Sequence, residues 1–264
     1  ALFFDPDGRN AITETRQYVF TEWNPTAAGD LEALRSVWDR NGDGKFSWFE
    51  RFCTATLVSS RRIVTAAHCF TRLPAGAPLV VMFGNDLSGE VRTVSVQSVV
   101  SDSRFDWNEN RQEYDLAVIR VTSSLETSGI PTMRLPTRAL LSKLRASGAL
   151  SSASFFMIGY GADATLTGPP QYDFTDPRRA FASAPFMSLL PRAVSLLTNQ
   201  RVQGNGGTCY GDSGGPLVLD MDGYRDVILG VATTADIPCR STSWYYRLDS
   251  DAAREFLSPL VSVP

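Results

Sequence analysis

Several absences narrow what this chain can do. Its 264 residues include a single histidine, four cysteines with no Cys-x-x-Cys pair, and no block of like charges. One histidine and isolated cysteines exclude the usual Cys/His zinc arrangements, so the cysteines are expected in disulfides and the chain in an oxidising, extracellular compartment. Four cysteines admit more than one pairing, and spacing alone does not choose among them. Lysines and arginines are scattered and the net charge is -3, which offers no electrostatic footprint for nucleic acid or an anionic membrane; neither partner is expected. No apolar stretch approaches the about 18 residues of a spanning helix. The start Ala1-Leu2-Phe3-Phe4 carries neither an initiator Met nor a signal segment, and the expectation is a processed, secreted monomer.

What is present is the material of a β-rich core. Apolar residues make up 43% and charged residues 20% of the chain, enough for one or two modest domains. Gly, Pro, Ser and Thr punctuate it between short apolar runs such as Thr54 to Val58, Leu79 to Phe83, Leu116 to Val121 and Val227 to Val231. That spacing predicts an all-β sandwich or barrel. Helical periodicity is confined to Asp30 to Trp38 and Asp249 to Leu257, with Arg138 to Ala146 as a third candidate. Gly168 to Pro177 reads as a surface loop.

Acyl transfer to a serine hydroxyl needs a base, a carboxylate that orients the base, and N–H donors for the oxyanion. Gly211-Asp212-Ser213-Gly214-Gly215-Pro216 surrounds a serine with residues lacking bulk, so that a substrate backbone can approach and the Gly211 and Ser213 amides can converge on an oxyanion. The plainer alternative is a Gly-rich turn that its serine merely caps. His68, in Thr65-Ala66-Ala67-His68-Cys69, is the one base that a histidine-dependent mechanism can use. Asp115 stands at the mouth of the apolar run Leu116-Ala117-Val118-Ile119, where burial beside an imidazole suits the orienting role. Asp102 and Asp106, in a more polar stretch, are the competitors.

The strings TAAHC, YDLAVI and GDSGGP, in the order His, Asp, Ser, resemble the chymotrypsin or trypsin-like serine peptidases. The resemblance runs from about Phe52 to Leu257. It implies two antiparallel six-stranded Greek-key barrels, one in residues 52–135 with His68 and Asp115 and one in 136–264 with Ser213 and a C-terminal helix. It also implies disulfides Cys53 with Cys69 and Cys209 with Cys239, and hydrolysis of a protein or peptide substrate through an acyl-enzyme. Ser213 is then the nucleophile, His68 the base, Asp115 its orienting partner, and Gly211 and Ser213 the oxyanion donors. A non-catalytic binding protein on the same scaffold and an esterase are the rival readings.

The chain departs from the family pattern in its pocket and at its start. Members specific for Arg or Lys carry an acid six residues before the nucleophile, where this chain has Gly207. Thr208, Tyr210 at the rim, and Thr233 to Ala235 complete an uncharged pocket, so cleavage after uncharged residues is expected, with Asp236 the one nearby acid. Asp5-Pro6-Asp7-Gly8-Arg9 and Ile12 to Thr15 look like the mature start of bacterial glutamyl endopeptidases, and Thr208 matches a threonine which that group uses. Its pocket histidine, however, is missing, since His68 is the only one. The usual Ile-Val-Gly-Gly start is absent too, and the expectation is an enzyme without the trypsin activation switch.

Residues 1–51 form a separate N-terminal segment. Within it, Asp39-Arg40-Asn41-Gly42-Asp43-Gly44-Lys45-Phe46-Ser47-Trp48-Phe49-Glu50 fills every position of an EF-hand calcium loop. Asp39, Asn41 and Asp43 offer side-chain oxygens, Lys45 its carbonyl, Ser47 a water-mediated contact and Glu50 a bidentate carboxylate. Leu31, Leu34, Val37 and Trp38 give the entering helix an apolar stripe. Cys53 follows too closely for a full exiting helix, so a single structural Ca2+ site is expected; the alternative is an Asn/Gly/Asp-rich turn that binds nothing.

Overall fold

The computed structural model describes the backbone of Tyr18–Phe20 and residues 53–71, 79–85, 92–108, 113–124, 130–164, 169, 171–173, 178–198 and 205–264. The helix expected over Asp30 to Trp38, the calcium loop expected over 39–50 and the chain start lie outside these residues.

Two closed six-stranded barrels make up the body of the protein. The first joins β1 (Tyr18–Phe20), β2 (Cys53–Ser59), β3 (Arg62–Thr65), β4 (Val80–Phe83), β5 (Arg92–Ser101) and β6 (Ala117–Val121) in the order β1-β2-β3-β6-β5-β4, all pairs antiparallel. It therefore takes one strand from the segment before residue 52. The second comprises β7 (Ser154–Gly159), β10 (Ala180–Leu189), β11 (Ala193–Leu197), β12 (Pro216–Leu219), β13 (Gly230–Ala235) and β14 (Thr242–Arg247), in the order β10-β11-β14-β13-β12-β7. A small hairpin of β8 (Asp163–Ala164) and β9 (Tyr172–Asp173) stands beside it. Closing each sheet on itself removes the unpaired edges that an open sheet would expose.

The run Val227 to Val231 is not one strand. Val227 forms an isolated bridge with Arg134, Leu229 donates to the Leu217 carbonyl, and the ladder with β14 begins only at Gly230. The helix expected from Asp249 likewise starts later. In α2 (Asp251–Leu257), Ser250 is the N-cap and accepts from the Ala253 amide. Asp249 is committed elsewhere: its buried carboxylate holds Arg247 at 2.8 and 2.9 Å and accepts from the Leu141 amide at the start of α1 (Leu140–Ala146), the third predicted helix.

One apolar cluster spans the two barrels. Ile63, Val64 and Val118 of the first pack with Ile158, Val231 and Tyr246 of the second, and Ala253 and Leu257 of α2 join them. Burial of this kind is the main favourable term in folding. It holds the barrels in a fixed relation, so that loops from both can meet.

Candidate active site

β3 ends at Thr65, and the chain passes through buried Ala66 and Ala67 into a short 3-10 turn, Ala67–Phe70. Two alanines leave no bulk under the turn. Cys69 in that turn is bonded to Cys53 on β2, which ties the turn back to the barrel. Their sulfurs lie near His68 but, joined in a disulfide, offer no thiolate to a metal.

His68 and Asp115 are joined twice. The His68 backbone N–H donates to Asp115 Oδ1 at 2.8 Å, and His68 Nδ1 lies 2.6 Å from Asp115 Oδ2. The Asp115 side chain is completely buried and that of His68 is 12% exposed. A buried carboxylate bonded through both oxygens can hold the imidazole with its proton on Nδ1, leaving Nε2 free to accept one. Trp107 covers one side, its ring centroid 5.5 Å from that of His68. The competing acids serve elsewhere: Asp102 is buried in a two-point bond with Arg104, and Asp106 accepts from the Asn108 amide.

The turn that carries Ser213 is anchored on the first barrel through Thr54. Thr54 of β2 donates its N–H to the Ser213 carbonyl at 2.7 Å and its hydroxyl to the Gly211 carbonyl at 3.0 Å. Thr65, three residues before His68, donates its hydroxyl to the Thr54 carbonyl. Gly214, at φ +82°, is pressed against this strand pair: a Cβ there would stand 2.0 Å from Thr65 Oγ1 and 2.3 Å from the Thr54 carbonyl oxygen. No other residue fits.

Within the turn, Asp212, Gly214 and Gly215 donate to the carbonyls of Cys209, Ala232 and Asp212. Among the described residues, the Gly211 and Ser213 amides donate to no backbone carbonyl, and Gly211 sits at φ +96°. Two such amides from one turn suit an oxyanion. Asp212 is turned away from them; its oxygens accept from the Gly161 and Cys209 amides at 2.8 Å each. Burial pushes its carboxyl above the usual range, and those two donors oppose the shift.

Gly207 and Thr208, two of the residues expected in the substrate pocket, line a cavity together with Gly161, Phe181 and Asp212. Thr208 donates its N–H and its hydroxyl to Ser243 Oγ at 3.0 and 2.9 Å, and Thr233 donates its hydroxyl to the Trp244 carbonyl. Gly207 has no space for a side chain, since a Cβ would lie 2.7 Å from Thr198 Cβ and Oγ1 and 3.0 Å from Ser243 Oγ. Beneath them Tyr245 is buried, and burial pushes its hydroxyl well above its ordinary value. Asp236, just past Ala235, accepts from the Arg240, Ser241 and Thr242 amides, so its carboxylate is spent on its own turn. At the rim, the Tyr210 ring meets that of Tyr172 edge-on at 4.9 Å, and the Tyr172 hydroxyl donates to the Ile237 carbonyl. The disulfide Cys209–Cys239 ties the turn before Ser213 to this wall.

Sequence reasoning missed Thr54, Trp107, Gly161, Thr198 and Ser243. Only Gly161 left a local signal, as the second glycine of Gly159-Tyr160-Gly161 closing an apolar run. Among the described residues, no helix is long and apolar enough to cross a membrane.

Known proteins resemble this chain in sequence and fold. The family model described as Trypsin matches residues 37–249. Coagulation factor XII of Bos taurus is 27% identical over 192 residues, covering 69% of this chain and 31% of the relative. Transmembrane protease serine 11G of Rattus norvegicus is 25% identical over 187 residues, covering 69% of this chain and 42% of the relative. The chain thus spans less than half the length of either. The atomic-resolution structure of HBP superposes with a TM-score of 0.60 at 20% identity, over 81% of this chain and 87% of that one, and shares the fold.

Proposed function

This chain belongs to the trypsin family, and from that premise we propose that it is a secreted serine endopeptidase working through Ser213, His68 and Asp115. The observation that carries the reading is the pair of hydrogen bonds between His68 and the buried Asp115, with the Ser213 turn anchored on the neighbouring strand. Ser213 Oγ attacks the scissile carbonyl while His68 Nε2 takes its proton, and the Gly211 and Ser213 amides receive the oxyanion. His68 then returns the proton to the leaving amine, and water discharges the acyl-enzyme by the same steps in reverse order. Asp115 fixes the tautomer throughout.

The neutral floor of Gly207, Thr208 and Ser243 supports cleavage after an uncharged residue of small or medium size. A lysine or arginine side chain there would surrender its hydration without a counter-charge. The residue pattern of 39–50 supports a structural Ca2+ held by Asp39, Asn41, Asp43, the Lys45 carbonyl and Glu50.

Labelling with a fluorophosphonate tests the reading. The expected result is stoichiometric modification at Ser213, lost in Ser213→Ala and in His68→Ala, together with hydrolysis of peptides from a mixed library. A folded chain that neither labels nor turns over is a binding protein on this scaffold. Labelling with ester but no peptide turnover makes it an esterase.

A further inference from the structure

The residue before Asp115 has an unfavourable backbone. Tyr114 sits at φ +60°, in the left-handed region that bulky side chains avoid and that Gly, Asn or Asp fill more readily. The Leu116 amide donates to the Tyr114 carbonyl at 2.8 Å, so Asp115 is the middle of a tight three-residue turn. Any relaxation at Tyr114 therefore re-aims the Asp115 carboxylate directly.

Two cations lie over the Tyr114 ring. The guanidinium carbon of Arg104 lies 4.6 Å from the ring centroid and that of Arg192 lies 4.8 Å from it. Guanidinium groups over an aromatic face are attracted to its quadrupole. Arg104 is itself fixed by Asp102, by Glu255 at 2.6 Å and by the Ala252 carbonyl at 2.8 Å. Arg192 also donates to Glu113 Oε2 at 2.7 Å, so it grips both residues that precede Asp115. It comes from the turn between β10 and β11, in the other barrel.

We propose that Tyr114 and Arg192 are positioning residues: Arg192 reaches from the second barrel to hold the Tyr114 ring, and with it the left-handed backbone that aims Asp115 at His68. The proposal rests on the reading of Asp115 as the group that orients His68. Through this clamp the second barrel supplies the nucleophile and also steadies the carboxylate of the first. The clamp touches neither substrate nor reacting atoms, so its loss should lower kcat and leave KM alone.

The test uses the full chain and a peptide substrate that it turns over. Arg192→Met keeps a long flexible side chain and removes the cation; Tyr114→Leu keeps apolar bulk and removes the ring. Each is expected to lower kcat about tenfold with KM changed by less than about twofold, since small misplacements of a catalytic group are costly. Arg192→Lys and Tyr114→Phe, which restore a cation and a ring, should recover most of the loss. The double variant Arg192→Met with Tyr114→Leu should lose clearly less than the product of the two single losses, because both break the shared Arg192–Tyr114 contact. Melting temperature is measured for each. A kcat in Arg192→Met within about twofold of the parent overturns the clamp, and so does a loss that multiplies in the double variant or merely follows the folded fraction. Those outcomes leave the peptidase reading standing, whereas a parent that does not label at Ser213 removes both.

Discussion

The amide of Thr54, in the first barrel, donates to the carbonyl of Ser213, in the second, at 2.7 Å. The same residue sends its hydroxyl to the Gly211 carbonyl, so one side chain and one amide grip the turn on both sides of Asp212. Thr54→Val keeps the amide and the methyl that faces Gly215 but leaves the Gly211 carbonyl without its donor. The expected cost is about 1 kcal/mol of stability. Because the Gly211 amide is an oxyanion donor in the proposed mechanism, kcat should fall as well, while KM moves little. Thermal unfolding and steady-state kinetics check this; a variant unchanged in both shows that the hydroxyl contact is incidental.

Asp115→Asn should be severe and local. The amide cannot accept through both of its polar atoms, so either the His68 amide or the Nδ1–H loses its acceptor, and the ring takes the tautomer that leaves Nε2 protonated. A fall in kcat on the order of a thousandfold or more is expected, with the circular dichroism spectrum retained. Near-normal kcat in a folded Asp115→Asn chain would refute the assignment.

An acid installed at position 207 should not create specificity for Arg or Lys. The Cβ of Gly207→Asp would lie 2.7 Å from two atoms of Thr198 and 3.0 Å from Ser243 Oγ. Overpacking of this kind costs about 1 to 3 kcal/mol. The variant should melt earlier than its parent, and a cleavage-site library should show no gain of basic residues at the scissile position. A clear switch to Arg or Lys means that the pocket floor yields more easily than its contacts imply.

Chemistry that depends on neighbours in the chain was legible, and chemistry that depends on the fold was not. The Ser213 string carries its own turn glycines and the His68 string its small alanines, while the Asp115 string heads an apolar run, so each stands out as a local pattern. Thr54 meets Gly211 across 157 positions and Thr208 meets Ser243 across 35, and no local pattern marks either pair. Arg192 reads as an ordinary surface arginine until the barrels close and bring it onto Tyr114. Strand β1 spans three residues, too few for any periodicity to register. The apolar run from Val227 predicted a strand in the right region but not its start, because apolar content alone does not distinguish a paired strand from an extended approach to one.

Calcium should govern stability before it governs catalysis. If Asp39, Asn41, Asp43 and Glu50 converge only in the folded chain, the ion binds the native state alone and stabilises it by RT ln(1 + [Ca]/Kd), about 2.7 kcal/mol at a hundredfold excess over Kd. For a chain of this length that corresponds to roughly 5 to 10 °C in melting temperature. None of the four residues belongs to the proposed triad, and all precede His68 in the chain. Chelation should therefore lower thermal and proteolytic resistance first, with activity at low temperature less affected. Glu50→Gln removes the bidentate carboxylate on which such loops depend, and should abolish the calcium-dependent shift while leaving the burst of acyl-enzyme intact. Equal melting temperatures in calcium and in chelator would show that residues 39–50 form an ordinary turn.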